Sequence, residues 1–531
     1  MRLAGRWLLS ALLAAAALGG CASLPPGSDY PKRTSVAFAQ PEATQIGRTL
    51  AAAARDHPGE SAFRIISVGV DGFAARMQLI EVAERALDLQ YFIFRQDDTG
   101  RLLTDALLRA ADRGVRLRVL VDDGATASGD HQIRLLAAHP QIEVRIFNPF
   151  AYRGDSKVLR VIEFIFGHHR LNFRMHNKLL VADNASALIG GRNIGDQYFQ
   201  VDPEGQYADD DVLVGGPAVQ QLSAKFDDYW NSALAIPVEA LAGGRPAEAQ
   251  LAGYRRRLAG ERAQAQHDNV AYLQRAASGD PLSGVLSGQL PLVWAGAQVV
   301  CDSPEKRRVK EGTMVGRLMY EPVARTAAAA GSELLMITPY YIPTPEERQL
   351  LQVLRQRGVR VRVLTNSLES TTELAAHSGY ARLRPALVRS GVELHELRAL
   401  LGNTRGSGQT VKMSRHGNYG LHAKLFVFDR QKLFIGSMNF DQRSVRLNSE
   451  VGLIIDSAEL SQQTASRFEA MTQPANAYEV LMRVDAAGRQ RLVWRTEEAG
   501  KSVEYAREPS PSRWRRFVVA LLSLFPLDRS L

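Results

Sequence analysis

This chain contains itself twice. Arg113-Gly114-Val115-Arg116-Leu117-Arg118-Val119-Leu120 returns as Arg357-Gly358-Val359-Arg360-Val361-Arg362-Val363-Leu364, 244 residues on, and RMHNKLLVAD (174–183) returns as GLHAKLFVFD (420–429), 246 residues on. Gln90-Tyr91-Phe92-Ile93 is echoed by Tyr340-Tyr341-Ile342, and Ile142-Glu143-Val144 by Val392-Glu393-Leu394. A displacement that holds over a domain's length is a duplication, not a chance pair of motifs. The chain must therefore fold as two copies of one unit. In each copy an amphipathic stretch ends at a glycine cap and gives way to an apolar strand; Phe73 to Ala86, with Met77, Ile80 and Ala83 on one face, and Arg101 to Ala111 are the clearest helices. Alternating helix and strand implies an α/β sandwich. A length of 531 residues exceeds one hydrophobic core, so we expect duplicated α/β domains at about 61–290 and 291–490, with residues 238–280 as a helical excursion between them.

The second repeat carries the chemistry. Both copies read His-x-Lys-x-x-x-x-Asp, as His176, Lys178 and Asp183, then His422, Lys424 and Asp429. Each runs on through an apolar stretch into a turn, Gly190-Gly191-Arg192-Asn193 and Gly436-Ser437-Met438-Asn439. Polar and apolar residues alternate across each cassette, so His and Lys share one face of a strand. Histidine is a nucleophile or proton carrier near neutral pH, and lysine a cation for phosphoryl oxygens. Phosphodiester exchange needs an attacking group, an acid for the leaving alkoxide and neutralised charge, so two facing copies complete one site.

These residues resemble the phospholipase D superfamily, whose signature His-x-Lys-x4-Asp-x6-Gly-Ser/Gly-x-Asn stands in both copies. Within it, LDLQYFIFRQDDTGRLL, GVRLRVLVDDG, IEVRIFNPF and GSMNFDQRSVRLNSEVGLII resemble bacterial cardiolipin synthases of the C type, over roughly residues 60–530. The resemblance implies two phospholipase D-type α/β sandwich domains forming one pseudo-dimeric catalytic unit. It implies His176 as nucleophile through a phosphohistidine, His422 as general acid and then base, and Lys178, Lys424, Asn193, Asn439 and Ser437 as phosphate ligands. Asp183 and Asp429 complete the signature and are more often structural than reactive. Glu450, in Asn448-Ser449-Glu450-Val451, is the implied carboxylate behind a cassette histidine, and Asp211, in Asp209-Asp210-Asp211-Val212, its first-half counterpart. A carboxylate there fixes the tautomer and stabilises the charged ring. No metal and no cofactor are implied, since two lysines and two histidines supply the charge. Gly191 opposite Ser437 leaves the halves unequal.

The chain opens with Arg2 and Arg6, an apolar run from Trp7 to Leu18, and Gly19-Gly20-Cys21. That run is too short to span a bilayer and resembles a bacterial lipoprotein signal (1–20), with Cys21 as the lipidated residue. Ala22 after it resembles the class sent to the outer membrane. We expect residues 21–60 to be a tether and the body to face the periplasm. Only Cys301 then remains, which leaves no intramolecular disulfide. A net charge of +9 suits anionic headgroups and nucleic acid alike. The tail (491–531) holds a short apolar segment, Trp514 to Phe525, that either lies on a membrane or docks on the body, and Val161 to Phe166 reads as a buried element or as the lining of a lipid entrance. His57, His131 and His395 are isolated, His168-His169 lacks a completing metal shell, and no Gly-x-Ser-x-Gly elbow or Gly-Lys-Ser/Thr loop is present. Three activities fit: phosphatidyl transfer between phospholipids yielding cardiolipin, hydrolysis by a phospholipase D, and a nucleic-acid phosphodiesterase. The anchor and the absence of base-stacking aromatics disfavour the third, so the expected partners are phospholipids and a membrane surface, not nucleic acid.

Overall fold

Each glycine-capped repeat turns a helix into an interior strand. Gly114 and Gly358 take the left-handed conformation, φ +91° and +84°, just past the helices Asp98–Asp112 and Pro345–Gln356. A side chain would be strained there. The structure, a computed structural model, describes residues 24–126, 130–154, 156–201, 205–242, 244–268, 284, 291–399, 419–510 and 512–524.

The first half supplies β1 (Ser61–Ile66), β2 (Ala86–Tyr91), β3 (Arg116–Asp122), β4 (Ile142–Phe147), β5 (Lys178–Ala182), β6 (Ser186–Gly190), β7 (Asp211–Gly215) and β8 (Ala235–Pro237). The second supplies β9 (Val293–Cys301), β10 (Glu333–Ile337), β11 (Arg360–Asn366), β12 (Glu393–Leu397), β13 (Leu425–Phe428), β14 (Lys432–Gly436), β15 (Val451–Asp456) and β16 (Ala477–Val484), then β17 (Gln490–Glu498) and β18 (Lys501–Tyr505). The first half pairs in the order β8-β4-β3-β2-β5-β6-β7-β1, and the second repeats it as β16-β12-β11-β10-β13-β14-β15-β9. β1 pairs antiparallel with β9, Ser61 opposite Ala295, and welds the halves into one sheet of 18 strands.

β2, β3 and β4 run parallel and β5 runs against them, with Lys178 opposite Tyr91. The start of each cassette strand thus meets the C-terminal ends of the parallel strands, where loops converge. Helices cover both faces, and the core between the halves is shared: Phe63, Leu179, Val212, Phe226 and Trp230 pack in one cluster with Leu335, Leu425, Leu453 and Phe468. Each half also has an apolar cluster of its own, around Leu79, Leu107 and Val119 in the first and Leu354, Val361 and Phe426 in the second.

Several expectations shift. The first helix spans Gly69–Val82, earlier than Phe73–Ala86, because Ala86 opens β2. The excursion forms helices Val238–Ala242 and Glu248–Asp268, the latter burying Leu251, Tyr254 and Leu258 against the first half. The second sheet runs past residue 490, where β17 begins. Residues 24–60 are not a loose tether. Guanidiniums claim their carbonyls: buried Arg118 donates to Ser35 and buried Arg145 to Arg33, and the more exposed Arg116 to Val36, while Trp230 Nε1 donates to Ser35 Oγ. Residues 1–23, which hold the expected signal segment and Cys21, lie outside the described residues.

Asp183 and Asp429 also leave the site. A strand advances about 3.3 Å per residue, so Asp183 stands about 20 Å from His176, at the far end of β5. Its carboxylate accepts the N–H groups of Glu84, Arg85 and Ala86 at 2.8–2.9 Å, tying the β5–β6 turn to the start of β2. Asp429 does the same for Gly331, Ser332 and Glu333. Removing Asp183 leaves three backbone donors, the buried Ala86 N among them, without their acceptor. Asp183→Ala should therefore cost about 3 kcal/mol in urea unfolding while the surviving folded enzyme keeps near-normal turnover per molecule; a mutant of full stability with no turnover would make Asp183 a reacting group instead.

Candidate active site

The two cassettes meet because each histidine is held by the other half. Met175 forms a β-bridge with Ser449, and His176 N donates to the Ser449 carbonyl at 2.9 Å. On the other side, Tyr419–Leu421 pairs with Gln206–Ala208, and His422 N donates to the Ala208 carbonyl at 2.8 Å. The residue after each bridge is a carboxylate. Glu450 Oε2 lies 2.9 Å from His176 Nδ1, and Asp209 Oδ2 lies 2.6 Å from His422 Nδ1. His176 Nδ1 also faces the Ser437 carbonyl at 3.2 Å. A ring nitrogen aimed at such acceptors carries the hydrogen, so each Nε2 keeps its lone pair for chemistry.

The approach to His176 is pinned as well. Asp122 Oδ2 accepts Met175 N at 2.9 Å and its carboxylate pairs with Arg174. Phe92 contacts the His176 ring at 5.0 Å, and Tyr198 and Tyr207 contact the His422 ring at 5.1 and 5.3 Å. These three aromatic walls went unread in the sequence. Phe92 belongs to a repeated stretch that could have flagged it, whereas the two tyrosines carry no periodic signal.

Lys178 and Lys424 are buried beside their histidines and donate to the His176 and His422 carbonyls, and Lys178 Nζ sits 5.3 Å over the Phe92 ring. An ammonium has three donors, so each retains some for a ligand. Burial lowers all four basic groups. His176 falls to about 4, through burial and against the pull of Glu450. His422 falls to about 3, through burial and then Lys424, whose Nζ is 3.1 Å from Nδ1. Burial takes Lys424 down to about 8 and Lys178 well below its ordinary value. Burial pushes the Glu450 and Asp209 carboxyls upward, but His176 and Lys178 outweigh it at Glu450, and His422, Lys424 and Arg192 at Asp209, so both stay below the usual range. At neutral pH the site holds two neutral imidazoles, two carboxylates and a charged Lys424 whose proton is lost not far above neutrality.

Three expected roles change. Asp211 is not the partner of His422: its Oδ2 is taken by Arg76 at 2.8 Å and Arg192 at 3.2 Å. Strand register explains why. Gly190 pairs with Asp211 where Gly436 pairs with Gly452, so the counterpart of Glu450 is Asp209. Asn193 precedes Asp209 by 16 residues and Asn439 precedes Glu450 by 11, and matching Val212 to Val451 conceals that difference. Ser437 does not face a phosphate, because its hydroxyl donates to Glu450 Oε2 at 2.5 Å, and Ser444 holds Oε1 at 2.8 Å. Opposite it, a Cβ on Gly191 would come 2.0 Å from Asp209 Oδ1. Glycine is needed there to seat the carboxylate. Asn193 is also engaged, accepting Ile93 N at 3.2 Å and donating to the Tyr198 hydroxyl at 2.9 Å, whereas Asn439 Oδ1 is buried with no hydrogen-bond partner among the described residues.

Comparison with known proteins agrees with this geometry. The family model described as "Cardiolipin synthase, PLD-like domain" matches residues 77–230 and 323–472, one match per half. The chain belongs to the phospholipase D superfamily. Cardiolipin synthase C of Escherichia coli is 37% identical over 481 residues, covering 89% of this chain and 96% of that protein. An uncharacterized protein of Helicobacter pylori is 28% identical, covering 92% and 93%, and the major cardiolipin synthase of Bacillus subtilis 25% identical, covering 76% and 67%. The solved phosphatidylserine synthase of Haemophilus influenzae shares the fold at a TM-score of 0.51 and 14% identity, over 81% of this chain and 91% of that one. This superfamily member is cardiolipin synthase-like and an enzyme of the transferase kind.

Two measurements test the site. Asp209→Asn should lower turnover about a hundredfold or more with little change in unfolding midpoint, since an amide leaves the ring tautomer unfixed; Asp211→Asn should act mainly on stability, through Arg76 and Arg192. If Asp211→Asn proved the more damaging to turnover of folded enzyme, the register argument would fall. As for pH, kcat/KM reports the free enzyme. It should fall as pH drops through about 4, where His176 takes a proton, and fall again as pH rises past about 8, where Lys424 loses one. Lys424→Arg should push the alkaline limb upward.

Proposed function

We propose that this enzyme moves a phosphatidyl group from one phospholipid to the headgroup hydroxyl of another, through a phosphohistidine, and so makes cardiolipin. The observation that carries this is the crossed pair of carboxylate-locked imidazoles, each held through Nδ1 beside a buried lysine. His176 Nε2 attacks phosphorus, the bond from phosphorus to the headgroup oxygen breaks, and His422 delivers a proton to the departing alkoxide. The incoming hydroxyl then gives its proton to neutral His422 and attacks phosphorus, breaking the P–N bond. His422 must be charged for the first step, although burial and Lys424 favour its neutral form. The substrate's own phosphodiester anion, drawn in by Lys178 and Lys424, supplies the negative charge that raises it.

Hydrolysis would use the same atoms with water as acceptor. Support for transfer comes from the kinship with cardiolipin synthases over most of this chain. We further propose that Cys21 is lipidated and that the body faces the periplasm from the outer membrane, on the strength of the Leu18-Gly19-Gly20-Cys21-Ala22 segment. Labelled palmitate should enter the wild-type chain and be absent from Cys21→Ser.

Purified enzyme in vesicles of phosphatidylglycerol and phosphatidylethanolamine, followed by lipid mass spectrometry, should yield cardiolipin. Phosphatidic acid alone would make it a hydrolase. His176→Ala and His422→Ala should each abolish turnover, and His422→Ala should accumulate phosphatidyl on the protein; accumulation in His176→Ala instead would exchange the two roles.

A further inference from the structure

The helix Lys157–Phe166 is built inside out. Its large apolar residues, Val158, Leu159, Val161, Ile162, Ile165 and Phe166 among them, are 44–69% exposed, and none of its residues is buried. Its polar side chains face the body. Arg160 lies 4.5 Å over the Phe150 ring and donates to the Asp123 carbonyl at 3.2 Å, and Glu163 accepts Ala151 N and Tyr152 N at 2.6 and 2.8 Å. A helix meant for water carries the opposite pattern. An apolar surface of this size, presented on purpose, marks a contact.

Its position says with what. The helix sits in the connection that leaves the C-terminal end of β4 and enters the first cassette, on the catalytic edge of the sheet. The second half presents a matching element on the same edge. In the helix Arg513–Leu522, Val519 turns inward while Trp514, Phe517 and Leu521, with Leu524 just beyond, are 46–76% exposed. Arg515 ties it to the Thr371 carbonyl at 2.5 Å, five residues past Asn366, which itself accepts Leu421 N beside His422. Met314 and Val315 project from the loop after the helix Lys306–Lys310, Val315 being 98% exposed. That loop borders a cavity of about 610 Å³ between the halves, lined by His169, Arg170, Arg307 and Arg308 and by Leu24, three residues past Cys21.

Neither helix can span a bilayer: ten residues reach about 15 Å against a hydrocarbon core of about 30 Å. Among the described residues no helix is long and apolar enough to cross a membrane. Short helices with outward Phe, Trp and Ile and flanking Lys, His and Arg suit the plane of a headgroup layer. Here Lys157, His168, His169, Arg513 and Arg516 supply those exposed flanks.

We propose that these two helices, one from each half, seat the catalytic cleft on the surface of an anionic phospholipid bilayer, so that substrate enters sideways from the leaflet. This rests on the phospholipid reading above. Bilayer binding is nonetheless separable from turnover. Full-length Cys21→Ser protein, which lacks any acyl anchor, is floated with vesicles of phosphatidylglycerol and phosphatidylcholine. It should rise with them, and Val161→Glu/Ile165→Glu and Trp514→Glu/Phe517→Glu should each cut the bound fraction about tenfold or more at an unchanged unfolding midpoint. Both pairs should keep the parental rate on a short-chain phosphodiester below its micelle concentration, because they touch no reacting group. Flotation equal to the parent in both pairs would overturn the proposal. So would a change from dimer to monomer in sedimentation with flotation intact, since the face would then belong to a second copy. A chain that floats but transfers no phosphatidyl group would refute the functional reading and leave the docking surface standing.

Discussion

Everything at the centre of this molecule depends on two exchanged hydrogen bonds, His176 to Glu450 and His422 to Asp209. Each joins a ring from one half to a carboxylate from the other, and each sits one residue beyond a backbone bridge between the halves. Positioning a catalytic imidazole requires that its Nδ1–H be held and its Nε2 aimed. Here neither half can do that alone. The continuous sheet across β1 and β9 and the shared core around Trp230 and Phe468 are what keep that crossing in register.

The same crossing sets the charge balance. Two buried ammonium groups would repel each other and destabilise the fold if no anion stood near, and Glu450 and Asp209 are those anions. They are already engaged with the imidazoles and so cannot quench the lysines fully. Burial then draws down the affinity of Lys178 and Lys424 for their protons until a phosphate arrives. The site therefore discriminates in favour of a group that brings its own negative charge, which is what a phosphodiester does.

How much of this could be seen in the sequence depended on which residues repeat. The cassettes and the strand-forming GVRLRVL and GVRVRVL stretches were legible because identical spacing appears twice at almost one displacement. Asp209 was not legible, because the loop before it is five residues longer than its twin and period-two alternation puts Asp209 and Asp211 on one face of the strand. Only the pairing of Gly190 with Asp211 distinguishes them. The direction of the Ser437 hydroxyl is hidden for a related reason, since a sequence does not say whether a hydroxyl looks out at a ligand or back at a carboxylate. Residues 24–60 read as a linker because many of their ties are made by backbone carbonyls, which have no sequence signature, and the short helix that buries Ile46 and Leu50 lies among polar and small residues.

Duplication also explains where the two halves were free to diverge. Strand order, cassette and crossing carboxylates are common to both, because altering one copy would misplace a ring belonging to the other. The connections on the catalytic edge carry no such constraint. In the first half, the connection from β4 to the cassette holds the inverted helix Lys157–Phe166; in the second, the exposed Trp514–Phe517 stack comes from a helix appended after β18. Unrelated segments have thus produced the same surface character on both sides of one cleft. Packing inside the protein does not demand it, as Val519 alone among the residues of these two helices is buried. A requirement outside the protein, and common to both rims, accounts for it better than any internal one.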